Sequence, residues 1–269
     1  MPNKYFAIDG IATYFHHLGP TTLPEEVPDL SRGEALLYLH GAGGNGSVFL
    51  PLAERLAERH SPIAFDFPGH ARSGSIDSLG ALDKMARFTR GVCDRLDLER
   101  PVLIGHSMGG AVALRYALDR LGPIRALVLI GSFPHLELPD DRIEQQQRVV
   151  EGKARRQFGR EAYSPQTPQE IVRSGIMQDL KTDPRVALGD MLACRDWDAR
   201  DRLGEIDVPT LVLTGEDELE VIAAASRQLG DGIPGARQSV IPKGGHMVHF
   251  EQPEPSAAAI LEFLNGLDA

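Results

Sequence analysis

The feature that most constrains this chain is a glycine-flanked serine set between two apolar runs. Gly105-His106-Ser107-Met108-Gly109 follows Pro101-Val102-Leu103-Ile104 and precedes Gly110-Ala111-Val112-Ala113-Leu114. The first run is too short for a helix and apolar throughout, as a strand buried on both faces must be. The second is a helix of small residues. A serine on so tight a strand-to-helix turn is lifted clear of the sheet. It needs glycines on either side because neighbouring side chains would clash. The turn also leaves the N–H of Met108 at a helix N-terminus, where it can stabilise an oxyanion. Ser107 is therefore the candidate nucleophile and Met108 a candidate oxyanion donor. His106, beside the serine, is a candidate substrate contact.

The rest of the chain has the rhythm that this turn requires. Short apolar runs recur at Ala35-Leu36-Leu37-Tyr38-Leu39, Pro62-Ile63-Ala64-Phe65, Ala126-Leu127-Val128-Leu129-Ile130 and Thr210-Leu211-Val212-Leu213, with a weaker one at Arg237-Gln238-Ser239-Val240-Ile241. Helical spacing lies between them, at Phe49 to Arg59, Leu79 to Leu96 and Met108 to Leu121, and at Pro255 to Leu267 at the end. Strands alternating with helices predict an α/β fold, a mostly parallel central sheet with helices on both faces. Asp9-Gly10 predicts a hairpin turn between Tyr5-Phe6-Ala7-Ile8 and Ile11-Ala12-Thr13-Tyr14-Phe15. Thr21 to Gly33 is Pro-rich and acidic and reads as a surface loop.

From Ser132 to Asp196 no buried strand signal appears. The segment is polar and helical in pattern, punctuated by prolines at 139, 165, 168 and 184, and too long for a loop. It reads as a helical cap inserted into the sheet domain. The expected division is a core of 1–131 and 197–269 and a cap of 132–196. Of its apolar residues and neighbours, Phe133 and Trp197 are candidate substrate contacts, with Leu136, Leu138 and Met177 beside them.

Charge and composition exclude several functions. The net charge of −10 leaves no electrostatic footprint for nucleic acid. No stretch of 18 apolar residues offers a membrane span. Cys93 and Cys194 are the only cysteines and have no metal-ligand spacing around them, so neither a disulfide framework nor a metal is expected. Met1-Pro2-Asn3-Lys4-Tyr5-Phe6 lacks a signal-peptide core, which predicts a cytoplasmic protein. A small-molecule substrate is the expected partner. A homodimer through an apolar patch on the cap is left open. The arginines from Arg148 to Arg160 read as a solvated helix face.

Three further signals complete a chemical set. His40-Gly41-Ala42-Gly43-Gly44 follows the strand at Leu36 to Leu39, and its small residues let a ligand approach the backbone. The N–H of Ala42 is the second candidate oxyanion donor, and His40, Gly41 and Gly43 are candidate substrate contacts. Neither G-x-x-x-x-G-K-[ST] nor G-x-G-x-x-G fits here, so a phosphate loop is excluded. Gly244-Gly245-His246 places a histidine on a mobile-looking glycine turn after a strand, where a neutral imidazole can take the serine proton. His249 is its competitor, but it leads into Phe250 and Pro253 and reads as packed. Thr214-Gly215-Glu216-Asp217-Glu218-Leu219-Glu220 follows another strand and offers a carboxylate to orient the imidazole. Four acids in five positions leave that choice open.

Together these signals resemble the α/β-hydrolase family, from Tyr5 to Leu267. Asp66-Phe67-Pro68-Gly69-His70-Ala71-Arg72-Ser73 looks like its D-x-P-G-x-G-x-S loop, with Ala71 where a glycine usually stands. Val208-Pro209-Thr210 to Gly215 looks like the start of the acid strand, and Gly244-Gly245-His246 with Glu251-Gln252-Pro253 like the histidine loop and last helix. The resemblance implies a Ser107, acid, His246 triad in that chain order. The family's acid usually lies three residues after the glycine, which favours Glu218. Residue type favours Asp217, and Glu220 is third. A serine nucleophile implies acyl-enzyme chemistry on an ester, thioester or activated amide, or hydrolysis of a carbon–carbon bond in a diketone-like substrate, with no cofactor. A non-catalytic ligand-binding member and an acyltransferase are the alternatives.

Overall fold

The computed structural model describes residues 3–19, 23 and 26–267. The apolar runs form the middle of one sheet, in spatial order β1-β2-β4-β3-β5-β6-β7-β8. The strands are β1 (Asn3–Ile8), β2 (Ile11–His17), β3 (Ala35–Leu39), β4 (Ser61–Phe65), β5 (Val102–His106), β6 (Ala126–Ile130), β7 (Thr210–Gly215) and β8 (Arg237–Ile241). β1 and β2 make the hairpin expected around Asp9-Gly10, and β2 runs antiparallel to β4. All other neighbours pair in parallel. Of the loop expected over 21–33, positions 21, 22, 24 and 25 lie outside the described residues, as do Met1, Pro2 and the final two positions.

The helices are α1 (Leu50–Leu56), α2 (Leu82–Arg95), α3 (Met108–Leu118), α4 (Asp140–Val150), α5 (Gln169–Asp179), α6 (Pro184–Arg195), α7 (Glu220–Gly232), α8 (Val248–Glu251) and α9 (Pro253–Asn265). Because strand side chains alternate, each central strand feeds two cores. Leu37, Leu39, Leu103, Leu127, Leu129 and Val212 pack with α2, α3 and α7 on one face. Leu36, Tyr38, Ile104, Val128 and Leu213 pack with α1, α8 and α9 on the other. Burying each such leucine contributes about 1.5–3 kcal/mol. α7 is additional to the helices expected from the sequence. It carries its own signal, Ile222, Ala225 and Leu229 on one buried face.

Between β6 and β7 the chain runs through α4, α5 and α6, in keeping with the helical pattern of that stretch. Pro139 and Pro168 stand at the N-caps of α4 and α5, and Pro184 opens α6, positions where a missing N–H is tolerated. α4 buries no residue, whereas α6 buries Val186, Leu188, Asp190, Ala193 and Cys194. Among the described residues no helix is long and apolar enough to cross a membrane.

The chain leaves β3 for β4 on one side and returns to β5 on the other. The sheet therefore switches direction between β3 and β5. The crevice beyond the carboxyl ends of strands at such a switch is where open α/β sheets bind ligands. The loop after β3 and the serine turn after β5 both open there.

Candidate active site

Ser107 sits between β5 and α3 with φ 52° and ψ −117°, a strained conformation for a residue with a Cβ. Its surroundings enforce it. The Ser107 N–H donates to Ile130 O at 2.9 Å. Ser132 Oγ donates to Ser107 O at 3.0 Å. The glycine requirement is steric, since a Cβ on Gly105 would lie 2.3 Å from Gly109 O, and one on Gly109 would lie 2.0 Å from Leu39 O. The turn thus locks β5, α3 and the end of β3 together through backbone contacts that no side chain could replace.

His246 lies in the loop between β8 and α8, and Glu218 in the loop between β7 and α7. The His246 Nδ1–H donates to Glu218 Oε1 at 2.8 Å, and the Glu218 side chain is 1% exposed. The Leu219 N–H also donates to Glu218 Oε1, at 2.9 Å. A proton fixed on Nδ1 leaves Nε2 as the basic nitrogen. Gly131 brings the parts together. It follows Ile130, the acceptor of the Ser107 N–H, and a Cβ on it would lie 2.7 Å from Glu218 Oε2 and 3.1 Å from His246 Nδ1. Among the described residues no hydrogen bond joins Ser107 Oγ to His246.

The two candidate oxyanion donors, the N–H groups of Ala42 and Met108, are free of internal partners among the described residues. Met108 opens α3. The Ala42 N–H shares its peptide plane with Gly41 C=O, and that carbonyl is held twice. Gly44 N–H donates to it at 3.1 Å and His40 Nδ1–H at 2.9 Å. His40 Nε2 in turn accepts from Phe67 N–H at 3.0 Å. One ring nitrogen donates and the other accepts, so His40 is neutral, and burial pushes its pKa down to about 4.

Several expected substrate contacts are corrected by burial. His40 is fully enclosed with both nitrogens engaged, so it shapes the loop rather than touching a ligand. His106 is also buried. Its Nε2–H donates to His246 O at 2.9 Å, its ring lies 4.7 Å from that of His246, and burial keeps it neutral. A Cβ on Gly41 would lie 3.0 Å from His106 Nδ1, so Gly41 packs on that ring. Gly43 turns its N–H to Asp190 and its Cα to Ala187 of α6. Phe133 and Trp197 belong to the apolar core at 0% and 5% exposure and leave no surface for a ligand. Asp217 does not reach His246; it accepts from Ser164 Oγ at 2.6 Å. Glu220 is exposed, with its side chain 3.7 Å from Arg227. His249 is buried against Phe49 and His106, and burial with the neighbouring His246 pushes its pKa down to about 3.

Two buried carboxylates are additional to the expected site. Glu251 Oε1 accepts from Gly245 N–H at 2.9 Å, beside His246, and its Oε2 accepts from Ser164 N–H at 2.8 Å and from Thr167 Oγ1. Asp190, on α6, accepts from Gly43, His70 and Ser78. Each joins the helical segment to a residue adjoining a candidate catalytic group. Their only sequence signal is an acid in an otherwise apolar helical stretch or beside Pro253.

Residues 36–259 match the family described as "Alpha/beta hydrolase family". The chain is 30% identical over 261 residues to a protein of Rhizobium rhizogenes provisionally named a carbamate hydrolase, covering 89% of this chain and 96% of that one. It is 26% identical over 257 residues, 86% of each chain, to a 2-hydroxy-6-oxononadienedioate/2-hydroxy-6-oxononatrienedioate hydrolase of Cupriavidus pinatubonensis. Among solved structures, a thermophilic esterase from Thermogutta terrifontis superimposes with a TM-score of 0.83 at 24% identity, covering all of both chains. That last likeness is one of fold.

Proposed function

The chain belongs to the alpha/beta hydrolase family, and from that premise we propose that it is a serine hydrolase cleaving a small carboxylic ester, thioester or related acyl compound. The observation that carries the reading is the pairing of His246 Nδ1–H with buried Glu218 at 2.8 Å, packed on Gly131, the residue after the Ile130 carbonyl that holds the strained Ser107. His246 Nε2 takes the Ser107 proton as Oγ attacks the carbonyl carbon. The N–H groups of Met108 and Ala42 hold the oxyanion, and Glu218 stabilises the imidazolium. His246 then returns the proton to the leaving group. An acyl-enzyme forms, and the same histidine activates water to release the acid. The helical segment of 132–196 acts as the cap that shapes the pocket. The relative provisionally named for carbamate hydrolysis supports an acyl substrate.

A second reading, hydrolysis of a carbon–carbon bond in a diketone-like substrate, is favoured by the relative from Cupriavidus pinatubonensis. It uses the same serine and histidine. The test is turnover of p-nitrophenyl esters, acetate through decanoate, and of a phenyl carbamate, by the wild type and by Ser107→Ala. Turnover by the wild type alone supports the acyl reading, and the best chain length sizes the pocket. No turnover of any of these, with cleavage of a vinylogous diketone, moves the assignment to the second reading. A Ser107→Ala variant as active as the wild type overturns both.

A further inference from the structure

Among the described residues, the helical segment reaches the candidate oxyanion loop at two points, where Thr182 Oγ1 donates to Gly44 O at 3.2 Å and where the buried acid Asp190 accepts from Gly43 N–H. Asp190 is fully buried on α6 and receives three donors. Gly43 N–H and His70 Nε2–H both donate to Oδ2, at 2.8 and 2.7 Å, and Ser78 Oγ donates to Oδ1 at 2.5 Å. His70 is equally buried, and its Nδ1–H donates to Pro68 O at 3.1 Å. Both of its ring nitrogens face acceptors, so both carry protons and the ring is an imidazolium. The Asp190 carboxylate raises the pKa of His70, and His70 holds that of Asp190 down. The other ionisable groups facing this pair are His40, whose ring lies 4.6 Å from His70 and is neutral, Asp66, and the Cys194 thiol, pushed up by burial.

We propose that Asp190, hydrogen-bonded to Gly43, His70 and Ser78, is a positioning residue that aims the Ala42 N–H at the developing oxyanion. The inference rests on the serine-hydrolase reading. The reasoning is geometric. Two peptide planes meet at the Ala42 Cα. The one before it carries the Ala42 N–H and is fixed through Gly41 C=O by His40 and Gly44. The one after it carries the Gly43 N–H and is fixed by Asp190. Gly43 has φ +65°, and a Cβ there would lie 3.1 Å from Ala187 Cβ, one turn before Asp190 on the same face of α6. Without the carboxylate the second plane loses its only acceptor among the described residues, and rotation about the Ala42 backbone dihedrals is freed. An oxyanion donor is effective only when already aimed, so freedom there costs rate rather than substrate affinity.

The experiment is kcat and KM for the p-nitrophenyl ester best turned over. Rates are counted per active site by endpoint titration with a fluorophosphonate, so that misfolded protein does not enter the rate. Asp190→Ala is expected to lower kcat per site about 100-fold, the loss typical of one oxyanion donor, with KM within about threefold. Asp190→Asn should restore kcat to within about tenfold. Its oxygen can still accept from Gly43 while its amide donates to the Ser78 hydroxyl. If Asp190→Ala leaves no titratable protein, Asp190→Glu carries the test. Its extra methylene drives the carboxylate into Gly43 while keeping the charge beside His70, and kcat per site should fall at least tenfold. Unchanged kcat per site in Asp190→Ala, or in Asp190→Glu where that variant stands in, overturns the proposal and leaves Asp190 a stability residue. An active Ser107→Ala control overturns the serine reading itself and the proposal with it.

Discussion

Glu218→Gln separates the orienting role of the acid from its charge. Glu218 Oε1 accepts from both His246 Nδ1–H and Leu219 N–H, while Oε2 is buried without a partner among the described residues. A glutamine can place its carbonyl oxygen at Oε1, keep both bonds and hold the same imidazole tautomer. What is lost is the negative charge opposite the imidazolium that the proposed mechanism forms when Ser107 gives up its proton. With charge centres ~4 Å apart and an effective dielectric constant of about 20, that interaction is worth about 4 kcal/mol. It corresponds to about 10³-fold in rate. The expected outcome is a fall of kcat by 10² to 10³, roughly, with KM within about threefold, because the charge matters only in the transition state. The assay is ester turnover per titrated active site, with Ser107→Ala as background. Asp217→Asn is the control, since Asp217 accepts from Ser164 Oγ; its kcat should stay within about threefold of the wild type. Glu218→Gln within about tenfold of wild type, or Asp217→Asn falling as far, would refute the assignment of the acid.

His249 has both ring nitrogens buried and unpartnered among the described residues, and burial pushes its pKa down to about 3. His249→Phe should keep the ring contact with Phe49, raise stability by about 1 kcal/mol and leave kcat within about threefold; a tenfold loss of kcat would place His249 in the proton path. Asp179, at the end of α5, has its pKa raised by burial from 3.8 to about 6. The folded state therefore holds that proton more tightly than the unfolded chain, and stability falls as pH rises through this window, by about 3 kcal/mol in all. Asp179→Asn removes the group, so its melting temperature should exceed the wild type's at pH 8 and match it near pH 4. A pH-independent difference would show that Asp179 does not titrate there.

What was legible in the sequence was what neighbours in the chain decide. The serine turn is largely local, because Gly105 is needed by the backbone of Gly109 and Gly110 a few residues on, although Gly109 is needed by the backbone of Leu39 on the adjoining strand. The buried strands are local too, because a run apolar on both faces has one stable environment. The choice between Asp217 and Glu218 was not, although the two are adjacent. Asp217 N–H donates to Gly244 O at 2.8 Å and Glu218 N–H to Gly215 O at 3.3 Å. The first bond ties the acid loop to the histidine loop and the second closes the turn on the end of β7, with Glu218 facing His246 and Asp217 facing Ser164. Phe133 and Trp197 failed as ligand contacts for a similar reason. An aromatic residue beside a cap has the same composition whether it lines a cavity or fills a core. Asp190 was invisible because Gly43, whose N–H it accepts, lies 147 positions away.

Three buried carboxylates, Glu218, Glu251 and Asp190, each accept from an N–H on or beside a group proposed for the chemistry. Dispersion contacts could bury the same area, but they fall off equally in all directions and cannot fix the heading of an N–H bond. A carboxylate in a low-dielectric setting can, because its hydrogen bonds are strong and directional there. The cost is desolvation of the charge, which three donors on Asp190 and three on Glu251 offset. An apolar side chain of similar volume at Asp190 would fill the same space yet leave Gly43 without that acceptor and the His70 imidazolium buried without its counter-charge, so turnover and melting temperature should both fall. At Glu251 it would strand the N–H groups of Gly245 and Ser164 and the Thr167 hydroxyl, with the same double effect. At Gly109 both should fail as well, since a Cβ there meets the backbone of β3 itself.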